Sequence, residues 1–360
     1  MLQMSAQSIV RRFTAACFVM TLLGSTTLLA QTYVQTNLVS DIPGLAPTND
    51  HLLVNPWGIA RSATSPWWVA DNGTGVSTIY TGAGVPAENP PGSGIQFVVN
   101  IPNAPGSSGN ASPTGIVFNG GSAFHADRFI FATEDGTIAG WNPVVDMFNA
   151  AIEVNRSGIA IYKGLTIATF NGAPFLYAAD FHTGAIEVFD ANFQPFSFGA
   201  NAFVDSQLPD GFAPFNVQAV GSAVVVTFAK QDKDAHDEVA GKGLGFVDVF
   251  TPNGVLLMRL ESGPWLDAPW GVALAPANFG ELSSRLLIGN FGSGLIAAFD
   301  AGDGSFVSFL KQSPGAAMRI NGLWGLGFGN DAGAGPSNTL FFAAGHANEH
   351  HGIFGTITPK

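Results

Sequence analysis

The sequence predicts an all-β chain folded as a six-bladed β-propeller of four-stranded antiparallel blades, and three observations carry the prediction. A six-residue motif, Asn55-Pro56-Trp57-Gly58-Ile59-Ala60, recurs as Ser112–Val117, Tyr162–Ile167, Pro214–Ala219, Ala268–Ala273 and Leu323–Phe328. Aligned on Gly58, Gly115, Gly164, Asn216, Gly271 and Gly325, the copies lie 57, 49, 52, 55 and 54 residues apart. A near-constant period of this length marks a repeat architecture. Most motifs are followed by a short run of β-branched and aromatic residues, a polar turn and a second such run, which reads as a hairpin. No segment beyond residue 30 keeps the i, i+3, i+4, i+7 apolar spacing of a helix. The 45 glycines suit tight turns and crowded inner strands. A β-sandwich with fortuitous repeats is the competing architecture.

Residues 1–30 stand apart from the repeats. Arg11 and Arg12 precede an apolar or small stretch from Phe13 to Ala30, and Leu28-Leu29-Ala30 offers a cleavage site. This reads as a signal peptide, which makes residues 31–360 a single secreted or periplasmic domain. An uncleaved anchor is the alternative, because the stretch approaches spanning length. Cleavage would remove Cys17, the only cysteine, so the mature domain is expected to fold without disulfides, as its size allows. It would leave 12 basic against 26 acidic side chains, a net charge near −14. Such a surface repels nucleic acid and anionic membrane, and both are excluded as partners. The expectation is a monomer with a small-molecule or protein ligand.

Tyr33–Asp41 alternates like a strand yet precedes the first motif, while Gly352–Thr358 supplies a strand after which little chain remains. The N-terminal strand is therefore expected to complete the last blade, closing the ring and hiding its edges. Between these ends the hairpins follow in order. Unit one has Trp67–Ala70 and Val76–Tyr80 about the turn Asp71–Gly75, then a long connection, Gly84–Asn110, around a strand at Ile95–Ile101. Unit two has Phe129–Ala132 and Ile138–Trp141 about Thr133–Thr137, and unit three Phe175–Ala179 and Ala185–Phe189 about Asp180–Gly184. The turn of unit four expands to Lys230–Gly243. Unit five turns at Asn290–Gly294, and unit six at the larger segment Gly345–Gly352.

If the motif begins each inner strand, its first residues and the polar turns meet at one mouth of the central channel, where loops on a rigid scaffold usually build sites. The inner strands would bring Asn55, Trp57, Thr114, Lys163, Asn216, Trp270, Asn321 and Trp324, with the three tryptophans forming one aromatic arc. Packing is the commoner fate of such tryptophans. The turns would bring Asp71, Glu134, Asp135, Asp180, Asp232, Asp234 and Asn290, though an Asp or Asn opening a tight turn usually binds local amides. Five of the seven histidines, His182, His236, His346, His350 and His351, fall in the hairpins of units three, four and six. His182, His236, His346 and His350 could together hold one divalent metal, zinc or calcium, with Asp180, Asp234 or Lys163 as candidate catalytic groups. The run Asp232-x-Asp234-x-His236 opens like a calcium loop but has Asp237 at the position of its glycine and Gly243 in place of its closing acid. Nucleophile elbows and phosphate loops are lacking. Two functions remain open: a propeller that binds a ligand at the mouth, or a metal-dependent hydrolase or lyase. A protein–protein platform is a third.

The Asn-Pro-x-Gly-Ile-Ala start, followed by a strand, an Asp-opened turn and a strand, resembles the NHL repeat of six-bladed propellers. Asn55–Ala60, Asp180–Gly184, Lys230–Gly243 and Gly345–Gly352 together resemble a family of secreted bacterial PEP-CTERM-associated propeller proteins, to which the resemblance attaches no reaction. That family's sorting segment is not expected here, since the sequence ends at Lys360 directly after a strand. The wider NHL class includes interaction modules, calcium-dependent lactonases and a zinc-dependent lyase. The lyase's histidines come from several blades, which the resemblance carries to His182, His236 and His346. A lactonase-like ion would draw on Asn55, Asn216 and Asp180, although the acid expected at an inner-strand start is missing.

Overall fold

The computed structural model describes residues 31–360; the expected signal peptide, residues 1–30, lies outside the described residues. The described chain forms six antiparallel blades in sequence order, each running from an inner to an outer strand, with a separate two-stranded ribbon, Lys311–Ser313 and Ala316–Ala317, before the sixth. Blade one consists of Pro56–Ala60, Trp67–Asp71, Val76–Tyr80 and Val98–Asn100, so the strand expected at Ile95–Ile101 is shorter than its apolar run. Blades two to five start at Pro113–Phe118, Tyr162–Phe170, Phe212–Val220 and Pro269–Leu274. Blade six comprises Leu323–Phe328, Leu340–His346 and His351–Pro359, and the N-terminal strand Tyr33–Ser40 pairs antiparallel with the last of these, from Tyr33 opposite Pro359 to Ser40 opposite Ile353. That pairing joins the two ends of the described chain. Thr48–Asn49 then adds a short parallel strand on the outer edge.

Packing follows from the alternation of the strands, which sends successive side chains to opposite faces of a blade. Six apolar clusters result, one at each blade-to-blade interface. Between blades one and two, Trp68 stacks on Phe129 with ring centroids 4.1 Å apart. The closing interface, between blades six and one, holds Val39, Trp67, Tyr80, Phe341 and Phe354. A seventh cluster lies on the axis and contains Trp57, Phe181, Phe215, Trp270 and Trp324.

The repeated motif begins each inner strand, and in all six blades the pairing of first and second strands shifts register within it. The shifts fall between Pro56 and Ile59, Pro113 and Ile116, Tyr162 and Gly164, Pro214 and Asn216, Pro269 and Gly271, and Leu323 and Leu326. Such a bulge leaves one residue outside the ladder and re-aims its side chain. The residues so released are Trp57, Thr114, Lys163, Phe215, Trp270 and Trp324. The glycine that follows lets neighbouring inner strands touch. A Cβ on Gly115 would lie 2.3 Å from the backbone nitrogen of Leu165, and one on Gly325 would lie 2.6 Å from the carbonyl oxygen of Trp57.

Candidate functional site

The aromatic residues released by the bulges shut the channel just below one mouth. Trp57 and Trp324 stack with centroids 3.5 Å apart and planes 16° from parallel, and Trp270 meets both edge-on at 5.9 and 5.8 Å. Phe291 stacks on the other side of Trp324 at 4.0 Å. Farther down the axis the inner strands leave a void of only about 20 Å³, room for about one water molecule. The tryptophan arc read from the sequence therefore exists, as a plug.

Above the plug lies a cavity of about 390 Å³, to which all six units contribute: Asn55, Trp57 and Asn72; Glu134; Lys163; His236, Asp237 and Glu238; Phe291; and Asn348 with Glu349. It shares Phe291, Asn348 and Glu349 with an adjoining cavity of about 510 Å³ that Asn321 and His346 also line. Lys163 is at the centre, 1% exposed. Its ammonium donates to Glu134 and, at 3.2 Å, to Asp237, and lies 5.3 Å from the centroid of the Trp57 ring. The network continues outward. Asn72 Nδ2 donates to the other oxygen of Glu134 at 2.8 Å, Asn55 Nδ2 to Asn72 Oδ1 at 3.2 Å, and Trp324 Nε1 to Asn55 Oδ1 at 3.2 Å. Asn55 has a positive φ of 46°, a conformation asparagine tolerates better than most residues. On the unit-six hairpin, Ala347, Asn348 and Glu349 are all left-handed, with φ of 54°, 56° and 67°. Three such non-glycine residues in a row store strain, which clusters at functional sites.

The charges are interdependent. Burial works against the Lys163 ammonium, but Glu134, Glu238 and Asp237 outweigh it and hold its pKa above the usual lysine range. Burial pushes Glu238 up to about 8, with Lys163 pulling it back and Glu349 pushing further. Burial, seconded by Glu134, raises Glu349 to about 7. Burial also raises Asp237, but Lys163 and His236 together bring it below the usual carboxylate value. Raised acid pKa values mean that the folded protein keeps protons the unfolded chain has already released. Stability from Glu238 and Glu349 is thus complete below about pH 4.5 and declines as pH rises through 7 and 8. Chemical unfolding is expected to show a loss on the order of 1–2 kcal/mol between pH 5 and 8.5, discounted for the partial exposure of both groups. Glu238→Gln should flatten most of that slope; an unchanged slope would place its origin elsewhere.

The other residues singled out in the sequence lie as follows. Thr114 is buried and its Oγ1 donates to the carbonyl oxygen of Tyr162 at 2.8 Å, tying blade two to blade three. Asn216 does not take the axial place of unit four. It holds the motif's glycine position, donating Nδ2 to the Trp270 carbonyl oxygen at 2.8 Å, while Phe215 points to the axis. Trp270 donates its Nε1 to the Lys163 carbonyl oxygen at 2.9 Å. Asp71 and Asp180 bind their own turns, Asp71 through Thr78 and Asp180 through the amides of Ile161 and His182. Asn290 accepts from the Asp267 amide. Asp135 accepts from the Ser112 amide and Asp232 from those of Asp234 and His236. Asp234 is exposed and paired with Lys233. The histidines are dispersed. His182 Nδ1 faces the Ala235 carbonyl oxygen at 3.1 Å, His236 pairs with Asp237, His351 with Asp41, His346 lines the adjoining cavity, and His350 is exposed. Among the described residues no group of three or more His, Cys, Asp or Glu side chains is arranged to hold a metal ion. The four histidines therefore do not form the joint ligand set expected of them, because each hairpin spends its histidine on a neighbouring loop or at the rim.

Asn72, Glu238, Phe291 and Glu349 were not singled out from the sequence. Asn72 and Phe291 immediately follow the turn openers Asp71 and Asn290, and Glu134 follows Thr133 in the same way. Where the opener turns inward to its own hairpin, its neighbour faces the mouth.

Fold and site together define a six-bladed β-propeller with a charged, aromatic-floored cavity at one mouth. No family model matches the chain. It belongs to the family of uncharacterized protein L690 of Acanthamoeba polyphaga mimivirus, with 32% identity over 308 residues, 80% of this chain and 77% of that protein. Uncharacterized protein R648 of the same virus is 28% identical over 89% of this chain and 78% of its own length. Uncharacterized protein R640 is 33% identical over 60% of this chain, but the match spans only 42% of R640. Among solved structures, the soluble aldose sugar dehydrogenase of Escherichia coli superposes with a TM-score of 0.56 at 12% identity, covering 91% of this chain and all of that one. A Bacteroides thetaiotaomicron protein of unknown function gives 0.55 at 12% identity, covering 92% and 76%. Streptogramin B lyase gives 0.50 at 13% identity, covering 92% and 98%. At such identities the likeness is one of fold, and function has to be argued from the site.

Proposed function

We propose that this protein is an exported propeller that binds a small ligand in the mouth cavity, above the tryptophan plug. One observation carries the reading. The three tryptophans of the plug face similar surroundings, yet only two have their indole N–H satisfied: Trp324 donates to Asn55 and Trp270 to Lys163. Trp57 lines the cavity, is 3% exposed, and its Nε1 has no partner among the described residues. A buried donor left unpaired costs roughly 1–3 kcal/mol, and a ligand acceptor would recover that. Export is supported by the Arg11-Arg12 pair and the apolar run to Ala30, and kinship with NHL-type propellers by the Asn55–Ala60 motif. The metal-dependent hydrolase or lyase has less in its favour, since the histidines are dispersed and Lys163 is the cation on which the carboxylates converge.

The reading predicts opposite consequences for two similar substitutions. Trp57→Phe removes a donor that nothing accepts, so stability should stay within about 1 kcal/mol of the parent. Trp270→Phe strips a hydrogen bond from a buried carbonyl and should cost about 1–2 kcal/mol more. A thermal-shift screen of small molecules should then yield compounds that stabilise the parent and lose their effect in Trp57→Phe. Equal costs for the two substitutions, with hits indifferent to Trp57, would count against the mouth as the site.

A further inference from the structure

The chemistry of the cavity wall narrows the ligand, given the reading of the mouth as a binding site. Three kinds of group are left over once the internal hydrogen bonds are made. The Trp57 indole offers a donor. The carboxyls of Glu238 and Glu349 and the amide of Asn348 line the mouth, the last two residues in both cavities, and make no side-chain hydrogen bond among the described residues. Phe291, backed by Trp324, adds an aromatic ring to both cavities. We infer that the ligand is a neutral polyhydroxylated molecule, a saccharide of one or two rings.

Each competing class meets a specific obstacle. An anion would face Glu134 and Asp237, and the one lysine of the cavity already donates to both. A purely apolar ligand would strip water from these groups without replacing it, which is costly. A cation would find Glu134 and Asp237 already paired with Lys163, while burial holds the carboxyls of Glu238 and Glu349 toward their neutral forms. A hydroxyl, by contrast, donates once and accepts twice, so a ring bearing several can satisfy Glu349, Asn348 and Trp57 together. Its C–H face can lie against Phe291. Cavities of about 390 and 510 Å³ are within the range of small-molecule sites.

The test is an NMR titration of the ¹⁵N-labelled protein, read at the indole N–H signals. There are seven tryptophans, and the Trp57 signal is assigned by its loss in Trp57→Phe. The probes are glucose, maltose and sorbitol at tens of millimolar, with choline and citrate as a cation and an anion of similar size. At least one neutral polyol should shift the Trp57 signal saturably, and Asn348→Ala, at an exposed hairpin position, should weaken that binding about tenfold. A shift with choline or citrate alone would overturn the saccharide inference and leave the mouth as a binding site. An unmoved Trp57 signal with every probe would defeat both.

Discussion

Replacing Lys163 with methionine is expected to destabilise the protein by about 3–5 kcal/mol, the usual cost of removing one partner from a buried ionic network. Methionine fills nearly the same volume, so packing against Trp57 and Phe181 should survive and the loss should be electrostatic. The ammonium is 1% exposed and donates to Glu134, which is itself mostly buried, and to Asp237, whose side chain is 62% exposed. Asp237 can turn to water when the lysine is gone. Glu134 is held by Asn72 and cannot easily do so. The penalty should accordingly concentrate on Glu134, and Glu134→Gln in the Lys163→Met background should recover a large part of it. The deficit should also shrink toward pH 5, where carboxylates without a counter-charge take up protons. Guanidinium unfolding of the two variants at pH 5 and 7.5 checks each statement. A loss below about 1 kcal/mol at neutral pH would mean that water already screens the cluster.

How far this site could be read from the sequence depends on which interaction fixes each residue. The ring itself was legible, since the motif repeats and each hairpin announces itself by turn residues between β-type runs. The closing strand Tyr33–Ser40 was legible for the same reason, as a strand without a blade. Lys163 stood out because its siblings are Trp57, Thr114, Trp270 and Trp324. Parity decided the rest. The openers Asp71, Asp180 and Asn290 cap their own hairpins, the commoner outcome for such residues, and the alternation of the strand then puts Asn72 and Phe291, which no motif marks, at the mouth. In unit four the alignment on glycine was sound, but it drew attention to Asn216 when the bulge aims Phe215 at the axis. The histidine set failed for a different reason. A hairpin histidine can bind a carbonyl of the next unit's loop, as His182 does, or the carboxylate beside it, as His236 does, and nothing in a spacing reveals that.

The second large effect is expected from Gly115→Ala, at about 3 kcal/mol. Its φ is not in the left-handed region, so the added methyl costs nothing in local backbone conformation and would by itself favour a strand slightly. The obstacle is the next blade. The new Cβ would stand 2.3 Å from Leu165 N, 2.7 Å from Gly164 C and 2.9 Å from Gly164 Cα, all backbone atoms that no rotamer change can move. Relief would require blades two and three to separate at the axis, and a closed ring transmits that opening to its other interfaces. The hydrogen bond from Thr114 to the Tyr162 carbonyl and that from Trp270 to the Lys163 carbonyl lie beside the contact, so the Lys163 network should loosen as well. Asn216 supplies the control. There the side chain at the glycine position is accommodated, donating to the Trp270 carbonyl and accepting from the Val217 amide. Asn216→Gly should therefore cost only about 1–2 kcal/mol, the worth of the hydrogen bonds it abandons together with the entropy of glycine. Urea unfolding of both variants separates steric closure from simple propensity. If Gly115→Ala proved as stable as the parent, the inner strands would have to sit farther apart than a shared ring of glycine contacts allows.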